Sequence, residues 1–196
     1  MDELRKDDTT NKYFNLLTRR ITNSFSKNIL NDIKKLNINS ILDVGCGTGY
    51  LTNKIYSIVP NVIGCDIDSK RLQLAKEYAA GKIKFIQNMS TTLPFPDRSF
   101  DLVTCFEVLE HVSNYSDLVK ECKRVSKKYV MFTVPNEPYF RLANLLRLKY
   151  ISRFGNHPEH INHFNKHKFK LTLSKNLNVK RVKLNSFLWV SAICEI

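Results

Sequence analysis

Three glycines at alternate positions, Gly45, Gly47 and Gly49, close a short apolar run from Ser40 to Val44 and open a helix-forming stretch from Tyr50 to Ile58. Glycine at such a junction lets the backbone turn tightly and pass close to a ligand, because no side chain intervenes. The pattern therefore demands strand, turn and helix in that order, with something cradled at the turn. Its spacing is GxGxG, not the GxGxxG of dinucleotide binders, and no Gly-Lys-Ser/Thr follows, which excludes a phosphate-gripping P-loop.

Asp43 lies in the strand just before this loop. A carboxylate there repels a pyrophosphate but suits a ligand carrying an ammonium and a sulfonium, the charges of S-adenosylmethionine. Asp66, nineteen residues after Gly47, ends a second apolar run and is placed to accept both hydroxyls of a ribose.

Beyond the loop the chain alternates strand and helix patterns. Strands are expected at Val62 to Cys65, Lys82 to Gln87, Phe100 to Phe106 and Tyr129 to Val134. Helices are expected after Asp68 or Ser69, ending at Gly81, and around Asp117 to Val125. Such alternation implies a parallel sheet covered on both faces. Further helices are expected at Tyr139 to Leu148 and Lys168 to Ser174, followed by two strands at Val179 to Asn185 and Leu188 to Cys194. The link between those last strands is too short for a parallel crossover and requires an antiparallel hairpin. Ahead of the first strand, Phe14, Leu17, Ile21, Phe25, Ile29, Ile33 and Leu36 recur at helical spacing, predicting an amphipathic helix from Tyr13 to Leu36 with a break near Ser24. The division expected is an N-terminal helical segment, 1–37, ahead of one domain over 38–196.

A chain of 196 residues suits one core. No apolar run is long enough to cross a membrane and the N-terminus is charged, so a cytoplasmic location is expected. The cysteines, 46, 65, 105, 122 and 194, form no CxxC pair and read as reduced core residues. The net charge of +13 suits RNA, an anionic membrane face or an acidic substrate. A compositional reading stands beside it, because the chain is rich in Lys, Asn and Ile and its basic residues are scattered.

Four stretches together resemble the class I S-adenosylmethionine-dependent methyltransferases, of the type 11 and ubiquinone-biosynthesis O-methyltransferase kind. Ile41 to Gly49 resembles their first motif, Gly64 to Asp68 their second, Leu93 to Asp101 the connector before the fourth strand, and Glu107-Val108-Leu109-Glu110-His111-Val112 the segment after it. The resemblance implies a three-layer αβα sandwich, Rossmann-like, around a seven-stranded sheet whose last strand pair is antiparallel. It also implies a cofactor site of Asp43, Gly45, Cys46, Gly47, Gly49, Asp66, Ile67, Asn88, Met89 and Phe106. One departure stands out: many relatives carry an acidic residue after the third strand, where this chain has Asn88-Met89.

The acceptor side is read from residues 107 to 167. Glu107, Glu110 and His111 share one face if they lie on a helix, and that face can hold a divalent ion. His111 is also the candidate general base. Four of the five histidines, 157, 160, 163 and 167, fall within eleven residues, and His160 is taken as the further ligand. A Glu-x-x-Glu-His with a later Pro-Asn and histidine, here Pro135-Asn136 and His160 or His163, resembles small-RNA 2'-O-methyltransferases too. The ordinary alternative is a capped turn and a polar loop with no metal. The expected activity is O-methylation of a small or lipid-like molecule, with metal-assisted RNA 2'-O-methylation, or a non-catalytic cofactor-binding partner subunit, as alternatives.

Overall fold

The computed structural model describes residues 19–196. Its elements run α1 (Arg19–Ile33), β1 (Ile41–Val44), α2 (Tyr50–Tyr56), β2 (Val62–Asp66), α3 (Ser69–Tyr78), β3 (Lys84–Gln87), β4 (Phe100–Phe106), α4 (Tyr115–Val125), β5 (Ser126–Pro135), α5 (Tyr139–Leu146), a 3-10 turn (Ile151–Arg153), α6 (Lys166–Ser174), β6 (Asn178–Asn185) and β7 (Trp189–Glu195). Each expected strand and helix within these residues is present, with ends shifted by a few residues. The part of the N-terminal helix expected at 13–18 lies outside the described residues.

The expected break near Ser24 does not occur: α1 is continuous from Arg19 to Ile33. Thr22 and Ser26 donate their hydroxyls to the carbonyls of Arg19 (3.2 Å) and Thr22 (2.9 Å), so these polar side chains are satisfied along the helix without opening it.

The strands form one sheet in the order β3-β2-β1-β4-β5-β7-β6, parallel except for β7, which is antiparallel to both β5 and β6. The direction of winding reverses between β1 and β4. At such a switch point the loops leaving two neighbouring strands part in opposite directions and leave a crevice.

Adjacent residues of the central strands serve opposite faces, as the two-residue strand period requires. Ile41, Leu102, Met131 and Ile193 pack with α1, α2 and α3 on one side. Leu42, Val103, Val130, Phe132 and Ala192 pack with α4 and α6 on the other. The result is the three-layer αβα sandwich with the terminal antiparallel pair. Side chains cap two helix starts: Asp68, as expected, accepts from the Lys70 and Arg71 amides (2.8 and 3.2 Å), and Asn165 accepts from the Lys168 amide (2.8 Å).

The helix α1 is tied to the far edge of the sheet, where Asp32, 3% exposed, meets Arg181 and Lys183 of β6, each at 2.6 Å. Phe25 of α1 packs on Trp189 with ring centroids 4.7 Å apart.

Candidate active site

The glycine loop is held from behind by β2. The amides of Gly45 and Cys46 both donate to the Cys65 carbonyl, at 2.8 and 3.0 Å. The three glycines all have positive φ, 72°, 53° and 74°, yet their surroundings differ. A Cβ on Gly45 would run into Cγ2 of Val108, and one on Gly49 would press on Ala75 and Phe85 at 3.0 and 3.1 Å. A Cβ on Gly47 would meet nothing within 4 Å. Only Gly47 leaves open space, and that space belongs to a cavity of about 790 Å3, within the usual range of about 300–1,000 Å3 for small-ligand sites. Gly45 lines it too, whereas Gly49 does not; its glycine permits close packing of the loop against α3 and β3.

Asp66 accepts the Gly47 amide at 2.7 Å and the Asp68 amide at 3.0 Å, so its carboxylate sits at the cavity wall and braces the loop. Asp43 is 2% exposed and receives two hydroxyls, from Thr52 (2.6 Å) and Thr104 (2.7 Å). Burial pushes its carboxyl up to about 6; the two threonine hydrogen bonds oppose that rise and the charge of Asp66 adds to it. Thr52 and Thr104 carried no recognisable sequence signal, since both read as ordinary residues of a helix and a strand.

Cys46, Ile67, Asn88, Met89 and Phe106 also line the cavity. The Asn88 amide group donates to the carbonyls of Ser90 (2.7 Å) and Thr92 (3.2 Å), shaping its own loop, and its backbone amide donates to Asp66 O at 2.9 Å. Ile67 and Met89 stand 62% and 76% exposed, an open apolar rim.

The acceptor end differs from expectation. Residues 107 to 112 form a bend and a turn, and no helix puts Glu107, Glu110 and His111 on one face. Glu107, with φ 57°, turns toward the sheet, where Thr133 donates to it at 3.1 Å and the Trp189 indole at 2.5 Å. Among the described residues, the group whose ligand atoms all lie within 4.8 Å of one another is Glu110, His111 and His160, without Glu107.

That grouping is built by backbone contacts from a distant loop. The amides of Ile161 and Asn162 donate to the Glu110 carbonyl at 2.9 and 3.0 Å, and the Asn162 side chain donates to Leu109 and Val112 carbonyls at 2.9 and 2.8 Å. His111 Nδ1 lies 3.0 Å from the Glu159 carbonyl. A carbonyl only accepts, so this contact puts a proton on Nδ1, and Nε2 lies 3.9 Å from Glu110 Oε1. His160 stacks between Phe140 and His157, with centroids 5.5 and 4.7 Å away, and its Nδ1 is 4.0 Å from Glu137. His157 lines the cavity beside it, whereas His163 and His167 do not. Asn136, of the Pro-Asn pair, is used structurally: its side chain donates to the Phe187 carbonyl at 3.0 Å.

The same cavity thus runs from the glycine loop to the Glu110, His111 and His160 cluster. The donor set, one buried carboxylate and two imidazoles, is compatible with a divalent cation.

Comparison with known proteins agrees with this arrangement. Residues 42–133 match the family model described as a methyltransferase domain. Over 102 residues the chain is 36% identical to a ubiquinone biosynthesis O-methyltransferase of Shewanella pealeana, covering 49% of this chain and 43% of that protein. Over 97 residues it is 36% identical to the ubiquinone/menaquinone biosynthesis C-methyltransferase UbiE of Ectopseudomonas mendocina, covering 45% and 38% respectively. The chain therefore spans about two-fifths of these relatives. Among solved structures, the PH0226 protein of Pyrococcus horikoshii superposes with a TM-score of 0.74 at 18% identity, covering 98% of each chain, which shows a shared fold.

Proposed function

We propose that this chain, whose residues 42–133 match the methyltransferase-domain model, transfers the methyl group of S-adenosylmethionine to an oxygen of a small or lipid-like acceptor, as a class I methyltransferase. The observation that carries this reading is the continuity of one cavity from the glycine loop to the Glu110, His111 and His160 cluster. The cofactor supplies a methyl group on a sulfonium, with a neutral thioether as leaving group. The loop fits it: Gly47 leaves backbone open to the cavity, Asp66 offers a carboxylate at the wall, and Asp43 sets a second acid behind the loop.

The chain's own residues then have to align the acceptor and manage its proton. Displacement at a methyl group is chiefly a matter of distance, angle and exclusion of water. Phe106, 6% exposed, and Phe140 wall the cavity between its two ends. Where no cation is held, His111 Nε2 is the atom that takes the proton of an acceptor hydroxyl. Glu110, His111 and His160 would hold a divalent cation, which would supply Lewis acidity toward the acceptor oxygen. Glu107 takes no part in that group.

A second reading, methylation of an RNA 2'-hydroxyl, is favoured by the same Glu-His-His cluster together with the +13 charge. Transfer from labelled cofactor to pools of small molecules, lipids and RNA, with and without a chelator, separates these readings. Label in the small-molecule or lipid pool is expected. Label in RNA alone replaces the first reading with the second, and cofactor binding without any transfer refutes both in favour of a non-catalytic subunit.

A further inference from the structure

The segment following β5 has two unlike sides. Phe140, Asn144 and Tyr150 line the cavity, and Asn144 donates to the Gly155 carbonyl at 3.0 Å, which folds the 3-10 turn back against α5. On the other side, Tyr139, Leu142 and Leu146 fall on one stripe of α5, at i, i+3 and i+7, and are 56%, 54% and 78% exposed. Leu148, Ile151 and Phe154 continue at 78%, 58% and 74%. A single exposed leucine is ordinary, but six large apolar side chains in water within sixteen residues mark an interaction surface.

The charge of this stretch is one-sided. From residue 138 to residue 158 there is no Asp or Glu, while Arg141, Arg147, Lys149 and Arg153 interleave with the apolar positions. Arg147, Lys149 and Arg153 are exposed, and Arg147 and Lys149 also line the cavity, so the cationic strip continues from the outer face to the site.

We propose that Tyr139 to Phe154 docks this protein on an anionic lipid bilayer, with the segment that lines the cavity seated at the headgroup layer. Both properties of the surface are used there: apolar side chains enter the acyl boundary and cations meet lipid phosphates. RNA would engage the cations and leave six apolar side chains in water. A second copy of the chain, meeting this face through a two-fold contact, would set the same four cations against each other. Docking also names the acceptor class, a lipid drawn from the bilayer; that part rests on the function proposed above, whereas the docking itself does not.

Co-sedimentation of the full chain with vesicles tests the proposal, using phosphatidylcholine alone and phosphatidylcholine mixed with phosphatidylglycerol. Binding is expected only to the anionic vesicles, weakening as salt rises. The triple variant Leu146→Ser, Leu148→Ser, Phe154→Ser lies outside the cavity and should keep the wild-type affinity for S-adenosylmethionine while its vesicle partition falls at least about tenfold. Replacing Arg153, which lies outside the cavity, with Gln should lower the partition about fivefold. Absent vesicle binding, equal binding to both vesicle types, or binding indifferent to both sets of substitutions overturns the proposal. So does a dimer that the triple variant dissociates in sedimentation velocity, or RNA affinity lost in that variant. Vesicle binding without methylation of any lipid leaves the docking standing and refutes the lipid acceptor.

Discussion

Gly45 and Gly47 sit two residues apart in one loop, and the structure assigns alanine different costs at each. Both have positive φ, which costs a non-glycine residue about 1–2 kcal/mol. At Gly45 the new methyl also meets Cγ2 of Val108 at contact too close to keep, and forcing such overlap costs about 1–3 kcal/mol more. Gly45→Ala should therefore lose about 3–4 kcal/mol of stability, and Gly47→Ala, where the methyl meets nothing, only the backbone part of about 1–2 kcal/mol. That methyl instead occupies the cavity, so Gly47→Ala should weaken S-adenosylmethionine binding by about tenfold or more while remaining more stable than Gly45→Ala.

The assay is urea denaturation followed through Trp189, the single tryptophan, which is 4% exposed, alongside titration calorimetry with the cofactor. Adding Val108→Ala removes the overlapping atom, so the two substitutions should couple favourably by about 1 kcal/mol or more in a double-mutant cycle. Additive losses, or equal destabilisation by the two glycine substitutions, would refute the assignment.

Three further outcomes are expected. The folded-state carboxyl of Asp43 titrates near 6, above its unfolded value of 3.8, so the protonated acid favours the fold. Its stabilising contribution is present below about pH 4 and is lost as pH rises to about 6, a change of about 3 kcal/mol that Asp43→Asn should abolish. Measuring both proteins by urea denaturation at the two ends of that window tests it; a constant difference between them sinks the idea. Asp66→Ala removes the acceptor of the Gly47 and Asp68 amides and the acid at the cavity wall, and should weaken cofactor binding by roughly 10–100-fold in calorimetry. An unchanged dissociation constant would rule out its ribose role. Glu110→Gln should reduce manganese binding by at least about tenfold while cofactor affinity stays at wild type, and equal metal uptake by both proteins would remove the cation from this site.

Most of the cofactor half was legible because its demands are local. A turn between strand and helix that approaches a ligand needs glycine at the turn itself, and the strand, loop and second acid fall in a fixed order along 41 to 66. The hairpin of β6 and β7 was legible for a similar reason, since three residues cannot return a chain to a parallel register. The role of Gly49 was legible only in part: its positive φ follows from the loop, but its contact with Ala75 and Phe85 depends on how α3 and β3 pack.

The acceptor half resisted reading because its partners are remote. Glu110 and His111 meet His160 through backbone and Asn162 side-chain hydrogen bonds spanning about 50 residues, which no spacing along 107 to 112 encodes. Spacing suggested a helical face there, yet Glu107 is drawn to Thr133 and Trp189, 26 and 82 residues away.

The sequence by itself therefore determined the succession of strands and helices in the first half, the glycine loop and the acids around it, because backbone conformation and strand ends are written in neighbouring residues. Only the tertiary structure decided which of the candidate ligands converge, and that the apolar residues after β5 face outward. Both follow from packing between distant segments, where burial and hydrogen-bond satisfaction are properties of the whole fold.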